Sequence, residues 1–434
     1  MSLTKTVGFV AVTTLAIGGA AFGAEQNNDL QAQIAELKAQ IAQLQGAQGS
    51  QWLTEQRAAE IRGIVTDVLA DSETRSSLQG ASGSGYNGGF FLSSSDGNFS
   101  MKMNVLEQIR YTFNDQDIGT EQASGFTNNR TRLTFSGNMV DSSWSYKIAY
   151  YLGLSNEGDG TPDNYGGQSL ADASVAKDFG NGFSLTVGQF KLPFSAEYGV
   201  DAGHLQFNDY SVVNTEMGTG YGQGLMLGYS ADAMRFGIAY INGINDANAS
   251  WGVPSNDWAF SMRGEYKFSG DWAQFNDGQS WKGEGMGAKI GVGYAAEDGN
   301  TTGGNPSKFT VDGTVDFGGA NITAAYYMND NDDGSGLDPT GFTLTGGVFV
   351  TDDFEVAARY ENASDLFPSD YNTVTFNGNW YLAKNSAKLG LAFGYAFDQI
   401  EADADGHFGS YAGWVESGAD DGEWLLQAQL SFNF

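Results

Sequence analysis

From Phe90 onward, apolar and polar residues alternate with a period of two in one segment after another, and the last segment is the clearest. Trp424, Leu426, Ala428, Leu430, Phe432 and Phe434 fall on one face, while Glu423, Leu425, Gln427, Gln429, Ser431 and Asn433 fall on the other. Successive side chains of a strand point to opposite faces, so this segment has one oily and one wet surface. Sixteen segments read as strands: 99–113, 128–139, 143–154, 169–178, 182–192, 222–230, 233–242, 256–269, 286–296, 307–317, 320–329, 340–350, 353–361, 371–382, 387–397 and 423–434. Most have the length at which a tilted strand crosses a bilayer, about 9–11 residues. Connections after even-numbered segments are short, as at 178–182, 317–320, 351–353 and 383–386. Those after odd-numbered segments are long and acidic, as at 155–168, 193–221, 330–339 and 398–422. Short turns alternating with long loops are the rhythm of an up-and-down transmembrane barrel with periplasmic turns and outer loops. Residues 270–285 break it: the connection should be short and is not, which means an insertion or a count in error by one hairpin.

The start of the chain follows other periods. Residues 1–24 carry Lys5, an apolar run from Val7 to Ala21 and small residues near Gly23, the pattern of a cleaved secretion signal. In 25–46, Leu30, Ile34, Leu37, Ile41 and Leu44 form a 4-3-4-3 seam with isoleucine at a and leucine at d. Such a seam buries itself against copies of itself, although fewer than three heptads are marginal alone. A helix packed on its own chain is the alternative. A second helical segment spans 51–80, ending at Gly80-Ala-Ser-Gly-Ser-Gly85. The expected organisation is therefore a signal over 1–24, a helical and coiled-coil segment over 25–80, and an all-β antiparallel barrel over 86–434.

Composition narrows the classes. The chain has 434 residues with 61 Gly, 6 Pro, 13% aromatics and no Cys. Its mean hydropathy is below zero. Past residue 24 no run reaches the ~18 apolar residues of a membrane helix, so a membrane would have to be crossed by strands. The absence of cysteine excludes thiol nucleophiles and cysteine zinc sites. The formal net charge is −31, one unit more negative without the segment that holds Lys5, and this disfavours nucleic acid as a partner.

Several short motifs then occur in order: Gly85-Tyr-Asn-Gly-Gly-Phe-Phe-Leu92, Asp96-Gly-Asn-Phe99, Arg130-Thr-Arg132 with Gly137, Leu170-Ala-Asp-Ala173 and Val187-Gly-Gln-Phe-Lys-Leu-Pro-Phe194. With these the chain resembles the phosphate-selective porin O/P family, and the coil with Trp52-Leu-Thr-Glu-Gln-Arg57 resembles its longer members. The resemblance implies a sixteen-stranded, trimeric porin in the outer membrane of a diderm bacterium, with the N-terminal segment in the periplasm. A terminal Phe434, preceded by Phe432 and Leu430, resembles the signal read by barrel-assembly machinery.

A channel of this kind does no chemistry and selects through width and lining charge. By strand parity Arg110, Arg130, Arg132 and Lys147 are expected on the inner wall, either as free lining charges or as struts paired with acids. The loop 193–221 stands where porins narrow the pore. It contains Glu197, Asp201, Asp209 and Glu216 but no Lys or Arg between Phe194 and Gly222. The family's anion-selective members are rich in Arg and Lys there, so the expectation shifts to a passive aqueous channel for small polar solutes and ions, general or weakly cation-preferring. Phosphate selectivity and an envelope tether are the alternatives. No cofactor or resident metal is expected. Segments 401–406 and 329–334 echo a calcium loop, but Ala412 and Thr340 stand where it needs Glu, leaving only loose divalent bridging. His204 and His407 sit in no triad or metal spacing, so an enzyme, such as a barrel lipid hydrolase, is not expected.

Overall fold

A computed structural model describes residues 35–40, 63, 83–115, 122–152, 169–244, 246–250, 256–299, 305–331, 338–366, 370–400, 412–414 and 422–434. The chain divides into two units, Met1–Ala81 and Ser82–Phe434. In the first, the described residues are helical, and Leu37 lies exposed on the 35–40 helix. The signal segment, the rest of the seam (Leu30, Ile34, Ile41, Leu44), His407 and the 401–406 motif lie outside the described residues.

The second unit opens with a hairpin, β1 (Gly83–Tyr86) and β2 (Phe90–Ser93). Then follow β3 (Ser100–Asp115), β4 (Gln122–Met139), β5 (Asp141–Tyr151), β6 (Ser169–Gly180), β7 (Phe183–Lys191), β8 (Tyr221–Ser230), β9 (Met234–Ile241) and β10 (Asn256–Ser269). The rest are β11 (Gly287–Gly299), β12 (Ser307–Asp316), β13 (Ala320–Asp330), β14 (Thr340–Phe349), β15 (Phe354–Ser364), β16 (Tyr371–Tyr381), β17 (Ala387–Ala396) and β18 (Trp424–Asn433). Each of β3 to β18 pairs antiparallel with the next, and β18 pairs back onto β3, so sixteen strands close into a barrel. Closure satisfies every strand edge, which a bilayer demands because lipid offers no hydrogen-bond partner.

All sixteen expected strands are present, most within a few residues of their expected ends. The strand expected from 128 starts instead at Gln122, because a bulge at Gln108/Ile109 lets β3 and β4 stay paired up to Asp115 and Gln122. The small hairpin was not anticipated. β2 pairs with residues 100–103 of β3, continuing the edge that β18 occupies higher up.

Side chains alternate as the period requires. On β17, Leu391 and Phe393 face outward and exposed, while Lys388 and Ala392 face inward and buried. Short turns carry the residues such turns need: Gly180, Asn181 and Gly182 all have positive φ, a conformation in which Gly and Asn are least strained.

Two connections fold inside the wall. The first is the loop 192–220 between β7 and β8. It holds α1 (Ala196–Gly199) capped by Ser195, a 3₁₀ turn (Ala202–His204) capped by Asp201, and α2 (Val212–Met217) capped by Ser211. Val212, Val213 and Met217 of α2 pack on inward Ala325, Tyr327, Ala363 and Tyr371, forming the main apolar cluster within the barrel. The second is 270–286 between β10 and β11, so the irregular connection is an insertion and the strand count stands.

Candidate functional site: the barrel lumen

The loop 192–220 is riveted to the wall by ionic and hydrogen bonds. Arg110 and Arg130 both donate to Asp209, at 2.8 Å to Oδ2 and 2.5 Å to Oδ1. Arg132 grips both oxygens of Asp201, at 2.8 and 2.7 Å. Charge-assisted contacts of this kind are short and stronger than those between neutral groups. Burial alone would raise the carboxyl pKa of Asp209, but the flanking charges of Arg130 and Arg110 outweigh it and hold it below its ordinary value. Asp201 is likewise depressed: desolvation opposes ionisation, and Arg132 overrides it.

Further clamps come from inward residues of later strands. Arg263 donates to the carbonyl of Phe194 at 2.7 Å and to Asp312 at 2.7 and 2.8 Å. Arg359 donates to the carbonyl of Asp209 at 2.9 Å and pairs with Glu361 at 2.9 Å. Lys308 reaches the carbonyl of Gly218 at 2.6 Å, and Lys388 that of Leu205. Glu197 turns back within the loop to accept from Ser211 N–H and Oγ, 3.8 Å from Arg359.

Three of the four predicted basic residues are thus brought together against the loop. Arg110, Arg130 and Arg132 face inward, and of the two expected arrangements, free lining charges or struts paired with acids, they take the paired one, with Asp209 and Asp201. Lys147 faces inward elsewhere and pairs with Asp172 at 2.9 Å. Glu216 sits at the end of α2, its carbonyl 3.5 Å from Lys308 Nζ. Leu430, Phe432 and Phe434 lie on the outward face of β18, where Phe434 exchanges backbone hydrogen bonds with Val105. Sequence reading missed Arg263, Arg359, Lys308 and Lys388. Their inward parity on alternating strands was the available signal.

Beside the pinned loop lies a cavity of about 80 Å³. The loop closes one side through Glu197, Val200, Phe207 and Asp209. Strands β11 to β15 close the other through Lys289, Asp312, Thr314, Asp316, Thr323, Thr343, Thr345 and Arg359, and Phe275, Asp277 and Gly278 come from the insertion. Hydroxyls and carboxylates line this cavity inside a barrel whose exterior is apolar, the arrangement of an aqueous membrane channel.

Residues 101–330 match the family described as phosphate-selective porin O and P, and the chain belongs to that family. It is an outer-membrane porin. Among solved structures it resembles OmpF of Salmonella typhi in complex with daunomycin, at 12% identity over 79% of this chain and 99% of that one, with a TM-score of 0.53. It also aligns with OmpT of Vibrio cholerae, at 13% identity over 77% and 98% of the two chains and a TM-score of 0.49. A variant porin of Rh. blastica aligns at 12% identity over 77% and 100%, with a TM-score of 0.47. No curated protein matches the chain.

Proposed function

We propose that the channel is a passive, general passage for small polar solutes, weakly cation-preferring and without a catalytic step. The observation that carries this is the charge around the open passage: Glu197, Asp209, Asp277, Asp312 and Asp316 against Lys289 and Arg359. Lys289 is paired with Glu265 at 2.9 Å, Arg359 with Glu361, Asp209 with Arg110 and Arg130, and Asp312 with Arg263. The preference therefore rests chiefly on Asp277 and Asp316, whose described contacts are with His204, Asn385, Trp281 and Gln274. Fixed carboxylates in a narrow, low-dielectric passage raise the local concentration of cations. The anion-selective alternative needs basic groups with unneutralised charge at the narrows, and each described arginine there has an acidic neighbour. The reversal potential of a planar bilayer under a potassium chloride gradient is the test. The expected value lies on the cation side of zero, and a strong anion preference would sink the proposal.

The working form is proposed to be a homotrimer, with the short turns and the N-terminal segment on the periplasmic side and 1–24 as a secretion signal. Support for self-association comes from the exposed Leu37 of the helical seam and from polar residues on the barrel's outer face. The acidic loops are proposed to bridge divalent cations loosely. The tether reading has only the same N-terminal seam behind it.

A further inference from the structure

A connection between adjacent antiparallel strands needs only two to five residues, yet seventeen separate β10 from β11 at the end where the other turns are tight. Their path shows what the excess does. Trp281 lies between Phe349, which ends β14, and Tyr381, which ends β16, with ring centroids 5.3 and 4.8 Å away. Gln279 donates to Asn385 at 2.9 Å, Ser280 accepts from the N–H of Gly318 at 3.2 Å, and the carbonyl of Gly278 accepts from Asn321 at 2.8 Å. A turn that merely joined its neighbours could not touch β16. The segment therefore runs across the inside of the barrel, with Phe275, Gln279, Ser280 and Trp281 buried.

There it meets the tip of the long loop arriving from the opposite end. Gly278 N–H donates to the carbonyl of His204 at 2.9 Å, and His204 Nδ1 lies 2.7 Å from Asp277 Oδ1. Contact is so close that a Cβ at Gly278 would stand 2.7 Å from the backbone nitrogen of Gln206. Asp277 is held by two further donors, Asn385 at 3.0 Å and the Trp281 indole at 2.7 Å. Phe275, Asp277 and Gly278 line the passage facing Lys289, Thr314 and Asp316, and Gln274 ties the segment's base to Asp316 at 3.0 Å.

We propose that residues 270–286 form a collar, a second constriction joined to the tip of loop 192–220, which sets the width of the passage and places Asp277 as a charge-selecting residue at its short-turn end. The two elements act as one diaphragm: the loop narrows the lumen from one end, and the collar braces and completes it from the other. This deepens the channel reading and rests on it.

Three forms of the full-length chain, compared with the wild type as single channels in planar bilayers, test the proposal. Replacing 271–285 by a Gly-Asn-Gly turn is expected to raise conductance by at least about 1.5-fold, as widening a constriction does. Asp277→Asn is expected to move the reversal potential toward the anion side, and an unmoved reversal potential removes the charge-selecting role from Asp277. Since the chain has no cysteine, Asp277→Cys supplies a unique thiol, and a bulky cationic thiol reagent is expected to lower the current of the assembled channel. This third form keeps the test decisive if the shortened barrel fails to fold. Unchanged conductance in a folded shortened barrel, or no response of Asp277→Cys to the reagent, overturns the collar. A wild-type channel that prefers anions, while the shortened barrel still widens, overturns the selectivity reading and leaves the collar standing.

Discussion

Asp209 receives Arg110 and Arg130 on its two oxygens while its own backbone carbonyl receives Arg359, so a single carboxylate is shared by two guanidinium groups that are almost wholly buried. Removing one partner of a buried ion pair costs about 3–5 kcal/mol, because the other charge is left without compensation. In Asp209→Ala that penalty falls on the docking of the loop, since the barrel's own ladder bonds are untouched. The expected variant folds, shows noisier and larger conductance, and shifts its reversal potential toward anions as Arg110 and Arg130 lose their counter-charge. Bilayer recording checks both, and an unchanged reversal potential would remove Asp209 from the account. Which residues face inward was legible, because parity along a strand is a local property. Which acid meets which arginine was not: Arg110 and Asp209 lie 99 positions apart, and no periodicity links them.

At the scale of elements, strands and tight turns could be read because alternation and turn residues are written within each segment. β18 shows this most fully, with every outward position apolar. Of the two connections that fold inward, loop 193–221 was expected at the constriction by its place in the strand order and 270–285 was legible only as a break in the rhythm, since where each packs depends on the wall it meets rather than on its own pattern. Gly293 is part of that wall. A Cβ there would stand 2.2 Å from the carbonyl oxygen of Phe194, the same atom that Arg263 holds at 2.7 Å. Glycine at 293 thus lets the root of the long loop lie flat on β11. Gly293→Val is expected to force that backbone off the wall at an overpacking cost of about 1–3 kcal/mol. Limited proteolysis of the folded protein in detergent should then cut between residues 195 and 220 while the barrel stays intact. Wild-type resistance in that window would mean the loop is held without this approach.

For the molecule as a whole, the outer surface decides how copies meet. Ile109, Tyr111, Leu391, Phe393, Ile290 and Val292 are typical of it: outward, apolar and suited to lipid. β3 and β4 differ. Glu107 shares the face of Ile109 and Tyr111, and its cross-strand partners are Thr131 on one side and Phe432 on the other, while Ile109 stands opposite Asn128. Glu107 lies near the middle of β3, and a carboxylate set against hydrocarbon there is destabilising. The same group in a contact between subunits can find polar neighbours, as Thr131 and Asn128 beside it foreshadow. If this face joins the proposed trimer, Glu107→Arg should weaken association by about tenfold or more, the equivalent of about 1.4 kcal/mol, with the folded monomer retained. Sedimentation in detergent over a range of protein concentrations measures the change. Arginine in place of outward Ile290 on β11 supplies the comparison, since it should lower barrel stability without altering the oligomer. If Glu107 faces lipid instead, Glu107→Leu should stabilise the barrel and Glu107→Arg should leave the assembly as it was, and the contact would then have to be sought on another part of the wall.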